Sequence, residues 1–113
     1  MSLKDRTRDF ALRIIELTEI LPRSRTADIV ARQLVKAGTS PGAHFREATR
    51  ARSKAEYVSK LNGGLMELEE TLYWLEIAEA SKLIPTEATS YHHAEAEALI
   101  AIFVSLIKKW KKR

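Results

Sequence analysis

The chain has 113 residues, 45% apolar and 30% charged, a balance that describes a single soluble, helix-rich domain and excludes a disordered chain. Four glycines and three prolines are too few for the turns of an all-β sandwich, and the lack of cysteine excludes disulfides, thiolate catalysis and thiolate zinc sites. The formal charge of +4 is unevenly spread: nine Lys/Arg against three acids from Arg23 to Lys60, one lysine against eight acids from Glu67 to Glu97, and five cations in the closing KKWKKR.

Such polarity has two readings. Either it steers a polyanion toward the basic stretches, or folding interleaves the helices and neutralises the charges across neighbours. The opening MSLKDRTRDF lacks the apolar core of a signal peptide. The longest apolar run, Ala98 to Ile107, is half of the roughly 20 residues that a bilayer crossing requires. We expect a cytoplasmic protein with no membrane partner.

The first helix is expected over residues 3–21. Leu3, Phe10, Ile14, Leu17 and Leu21 recur at helical spacing, Ser2 offers an N-cap, and Pro22 stops the helix. A second is expected over 25–51, where Val30, Leu34, Ala37, Pro41, His44, Ala48 and Ala51 alternate by fours and threes. Pro41 interrupts this seam. Ser40-Pro41 makes a good N-cap and first helical residue, which favours a break; the undisturbed phase of the seam favours one helix, kinked near Pro41.

Ser53-Lys54-Ala55-Glu56 matches a capping box and opens a third helix, over 53–81. Val58, Leu61, Leu65, Leu68, Leu72 and Leu75 give the strongest periodicity in the chain. Gly63-Gly64 within it signals close packing, because each glycine costs a helix about 1 kcal/mol relative to alanine. Tyr73, Trp74 and Ile77 lie off that seam as a second apolar surface. The fourth helix, over 86–111, turns apolar on nearly every face at ALIAIFVSLI, so one side should face the core and another a second subunit. Trp74, Ile100, Phe103, Val104 and Ile107 are the interface candidates. The fold class is all-α: four helices in one domain, residues 1–113.

Gln33-Leu34, Ser40-Pro41-Gly42-Ala43, Arg46-Glu47-Ala48, Arg50, Arg52-Ser53, Leu61, Gly63, Glu67-Leu68-Glu69 and Leu72 resemble a bacterial family of small four-helix proteins. That family was first recognised in intervening sequences of large-subunit ribosomal RNA genes and is sometimes labelled ribosomal-protein-like. The accessory protein of diversity-generating retroelements looks like a relative. The resemblance implies an antiparallel up-down-up-down bundle, a kinked but continuous second helix, assembly into a ring (a homopentamer in characterised relatives), no established enzymatic activity, and nucleic-acid binding. One position departs from the pattern: His44 stands where the family commonly has asparagine.

Two basic features are candidates for contact with an RNA or DNA backbone: Arg46, Arg50, Arg52 and Lys54, and the tail Lys108, Lys109, Lys111, Lys112 and Arg113. The competing reading gives Glu47 to Arg50 or Arg46, as a pairing that ties the second helix to the third, and gives some tail cations to the helix dipole. Only Phe45 and Tyr57 supply aromatics near the arginines. His93 and Glu97 have the spacing of two metal ligands on one helix face but no evident third, and Glu67, Glu69, Glu70 and Glu76 lack the Glu-x-x-His pairs of di-metal bundles. We therefore expect no metal, no cofactor and no enzyme. The leading function is nucleic-acid binding by a homo-oligomer; the alternative is a scaffold for protein–protein interaction.

Overall fold

The computed structural model describes residues 1–111 in backbone and 1–110 in side chains. Four α-helices make up the described chain: α1 (Leu3–Thr18), α2 (Arg25–Thr49), α3 (Lys54–Ala80) and α4 (Ser90–Lys111), with a short 3-10 turn, Thr86–Thr89, ahead of α4. The bundle measures 48 × 23 × 21 Å. At 1.5 Å per residue, α3 alone spans roughly 40 Å of its length.

Three serines start the first three helices. Ser2, Ser24 and Ser53 each accept the N–H three residues on, from Asp5, Ala27 and Glu56. The capping box at Ser53 is half made. Its hydroxyl caps the helix, while the Glu56 carboxylate lies 3.6 Å from Arg52. The first helix ends three residues before the expected limit. Residues Glu19 to Leu21 tighten into i−3 bonds onto Glu16, Leu17 and Thr18 before Pro22.

The second helix runs unbroken through Pro41, which is buried. Pro41 has no N–H to offer the Ala37 carbonyl. In the turn ahead of it, the Thr39 and Ser40 hydroxyls fold back onto the Val35 and Lys36 carbonyls. The small residues here do serve close approach: a Cβ built on Gly38 would come within 2.8 Å of the Ile14 side chain on α1.

Side-chain contacts fix the helix pairings. Gly38 meets Ile14 and Gly42 meets Thr7, so α1 and α2 run in opposite senses. His44 lies over Gly63 and Glu47 pairs with Lys60, which orients α3 against α2 likewise. Glu79 reaches His93, Gly64 meets Phe103, and Tyr57 meets Trp110, so α4 descends along α3. Arg6 and Glu95, with Arg13 and Tyr91, close α4 against α1.

The core stripe of α3 is Leu61, Gly64, Leu68, Thr71, Leu75 and Ala78. It is centred one position away from the expected seam, leaving Val58, Leu65 and Leu72 partly buried on its flank. Flanked by α2 on one side and α4 on the other, α3 needs a wide apolar face, and the small Gly64 and Thr71 occupy its middle. Thr71 is tolerated there because its hydroxyl donates to the Glu67 carbonyl.

The α3–α4 connection is a Schellman motif. Leu83 N–H bonds the Ala78 carbonyl, Lys82 N–H bonds the Glu79 carbonyl, and Lys82 takes the left-handed conformation at φ 61°. Pro85 follows and the chain enters the 3-10 turn, so α4 proper opens at Ser90 and not at residue 86. Thr89, buried in that turn, donates its hydroxyl toward the Glu79 carboxylate at 2.9 Å.

Candidate nucleic-acid interface

The two basic features, more than fifty residues apart in sequence, meet at one end of the bundle. The α2–α3 turn, the first turn of α1 and the last turns of α4 all arrive there. Lys4 of α1 lines a depression together with Phe45, Arg46, Thr49 and Arg50. Beside it, Thr49, Arg52, Ser53, Lys54 and Tyr57 line a second depression, whose far wall is Trp110 from α4. The Tyr57 and Trp110 rings lie 5.3 Å apart between centroids, and this contact brings the end of α4, where Lys108 and Lys109 sit, to the α2–α3 turn.

Within this end the cations differ in their engagement. Arg52 pairs with Glu56 at 3.6 Å but remains 90% exposed. Arg46 and Arg50 are exposed and make no salt bridge among the described residues. Glu47 does tie α2 to α3, yet its partner is Lys60 at 3.2 Å, not Arg46 or Arg50. The geometry is simple: along α2, Glu47 faces α3, whereas Arg46 and Arg50 project on the side toward Lys4. Lys54 is exposed and lines two depressions. Lys108 and Lys109 are exposed at the end of α4. Lys111 belongs to the last turn of α4, and its side chain, with Lys112 and Arg113, lies outside the described residues.

The interface candidates divide. Phe103 is fully buried and Ile107 is 6% exposed, so both belong to the core of one chain and have no surface to give to another. Their spacing from Ala96 and Leu99 places them on the inner stripe of α4, a distinction blurred in a helix apolar on every side. Trp74, Ile100 and Val104 are half-buried on its flanks and on α3. Tyr73, expected as part of a second apolar surface on α3, is exposed and edge-on to Trp74 at 5.3 Å, and sequence reasoning missed the exposed Met66 on the same helix.

His93 donates Nε2–H to the Glu79 carboxylate at 2.6 Å, which assigns it to the α3–α4 junction and not to a pair with Glu97. Among the described residues, no three His, Asp or Glu side chains group in a way that could hold a metal ion. No described helix is long and apolar enough to cross a membrane. His44, at the position that departs from the family pattern, packs its ring over Gly63, where a Cβ would come within 2.8 Å of it. Its Nδ1 is buried and lies 3.8 Å from Glu47, beyond hydrogen-bond reach.

The fold defines a small all-α four-helix protein with a basic end. The sequence pattern of the 23S rRNA-intervening sequence protein family matches residues 1–105, and the chain belongs to that family. It is similar to a protein of unknown function of the S23 ribosomal protein family from Bacteroides thetaiotaomicron VPI-5482, whose crystal structure was solved at 1.70 Å. The two are 34% identical and superpose with a TM-score of 0.88, over 95% of this chain and 99% of the other. No curated relative matches the chain.

Proposed function

We propose that the protein is a non-enzymatic, cytoplasmic homo-oligomer that binds the phosphate backbone of RNA or DNA through the basic end of each bundle. The observation that supports this reading is the convergence of Lys4, Arg46, Arg50, Arg52 and Lys54 with Lys108 and Lys109 around the Tyr57–Trp110 contact. Backbone contacts of this kind position a polyanion without reading its sequence. Repetition around a ring, in the homopentamer that the resemblance implies, would multiply a modest attraction per subunit.

A gel-shift titration at two salt concentrations tests it. Binding should weaken steeply between about 50 and 200 mM salt, and the paired reversal Arg46→Glu/Arg50→Glu should lower both the affinity and the salt slope. Failure to shift any RNA or DNA at low salt ends this reading. A mass measurement in solution tests the oligomer: a monomer at micromolar concentration removes the ring, and with it the avidity.

A protein-binding scaffold is the second reading, and Met66 and Tyr73 favour it. They are 69% and 54% exposed on the outer face of α3, where large apolar side chains gain nothing from water. Co-purification with and without nuclease separates the two, because a protein partner survives nuclease and a nucleic acid does not.

A further inference from the structure

The first three turns of α3 present Lys54, Ala55, Val58, Ser59 and Asn62 along one face, and Trp110 of α4 closes that face into an open groove of about 690 Å³. Its parts are of different chemistry. Ala55 and Val58 make an apolar floor, and the half-buried Trp110 makes an aromatic wall braced by Tyr57. Ser59 and Asn62 are exposed polar side chains on the rim. Their hydroxyl and amide can both donate and accept hydrogen bonds. Lys54 stands at the end of the groove nearest the arginines.

A duplex offers such a groove phosphates, sugars and base edges but no base faces, because its bases are stacked. A single strand offers unstacked bases, each with an aromatic face and a polar edge. We propose that this groove receives a base of single-stranded nucleic acid, stacked on Trp110 with its edge toward Ser59 and Asn62. Its flanking phosphates then lie toward Lys54 and the arginine cluster. This inference rests on the backbone-binding reading above and narrows it: the bound polymer is single-stranded. Charge selects the occupant. An apolar partner surface would fit the floor but would have to cover the exposed Arg52, Lys108 and Lys109, which a polyphosphate chain instead neutralises.

The test compares fluorescence-anisotropy titrations of a labelled single-stranded oligonucleotide and its duplex at low salt, with the mass of the free protein measured in parallel. The expected result is tighter binding of the single strand. Trp110→Ala should weaken single-strand binding by about five- to a hundredfold, in line with the loss of one stacked base, and by more than it weakens duplex binding. Trp110→Phe should keep most of it. Trp110→Ala could also loosen the end of α4, so Asn62→Asp, an exposed change that leaves the Tyr57–Trp110 contact intact, provides the second arm. It places a negative charge in the groove and should likewise weaken the single strand alone. Equal affinity for both forms, untouched by either variant, overturns the groove and leaves the backbone reading standing. No binding of either form removes both. Self-association that Trp110→Ala abolishes shows a second copy in the groove, and overturns the inference.

Discussion

Gly64 of α3 and Phe103 of α4 touch so closely that a Cβ on the glycine would come within 2.5 Å of the Phe103 ring. Phe103 is fully buried, so the ring cannot swing out to make room. Gly64→Ala should therefore destabilise the bundle despite alanine's better helix propensity. Overpacking costs about 1–3 kcal/mol and the propensity gain is about 1 kcal/mol, leaving a net loss of up to about 2 kcal/mol. Urea unfolding measures it, and combining the change with Phe103→Leu should recover part of the loss. Full additivity of the two changes would refute the contact.

Arg6 and Glu95 join the first and last helices side-on, Nε to Oε2 at 2.7 Å and Nη2 to Oε1 at 2.8 Å. The Glu95 side chain is only 13% exposed, so this pair is better shielded than an ordinary surface bridge. Arg6→Gln and Glu95→Gln should each lower stability, and a double-mutant cycle should return a coupling of about 1 kcal/mol. A coupling near zero would mean that α4 is held to α1 by packing alone.

Lys82 occupies the left-handed position of the α3 C-terminal motif that glycine fills most easily. A side chain in that conformation costs about 1–2 kcal/mol, part of which glycine returns as extra freedom in the unfolded chain. Lys82→Gly should raise stability by about 0.5–1 kcal/mol, read as a higher unfolding midpoint. Lys82→Val should lower it.

His92 lends the fold a dependence on pH. Its Nε2–H donates to the Arg13 carbonyl at 3.2 Å, and Nδ1 is buried without a partner among the described residues. Burial pushes its pKa below the ordinary value of 6.5, against the opposing effect of the bond to Arg13; the Arg13 charge also lowers it, and Glu16 raises it. The folded state thus binds fewer protons than the unfolded one. The contribution is complete above the unfolded pKa and is lost as pH falls below about 6.5 toward the depressed folded value. Thermal unfolding between pH 8 and 5 should show the decline, and His92→Gln should flatten it. An unchanged slope in the variant would clear His92 of the effect.

Periodicity and caps made most of the fold legible. The Ser2 and Ser53 caps were readable because each serine precedes a helical run, and the unbroken phase from Val30 to Ala48 carried α2 through Pro41. What escaped was set by tertiary partners. The leucine count centred α3 on Leu65 and Leu72, whereas its burial follows Gly64, which is small because Phe103 needs the space. Local pairing rules gave Glu47 to a neighbouring arginine, whereas the bundle supplies Lys60 from α3. The end of α1 and the start of α4 moved by three or four residues because 3-10 turns keep the same apolar spacing as the helices they adjoin. The arginine cluster and the lysine tail were each visible, but no local signal joins Tyr57 to Trp110.

An even number of alternating helices has a practical consequence. Leu3 and Trp110 both lie at the end where Arg46 and Arg50 sit, because α1 begins and α4 finishes there. Anything appended near either terminus emerges over that surface, where a folded tag or a fused domain would shade the cations from a ligand. The Lys82–Pro85 bend, at the opposite pole of a body 48 Å long, is the place to attach a dye, an immobilisation handle or an inserted reporter without standing in the way.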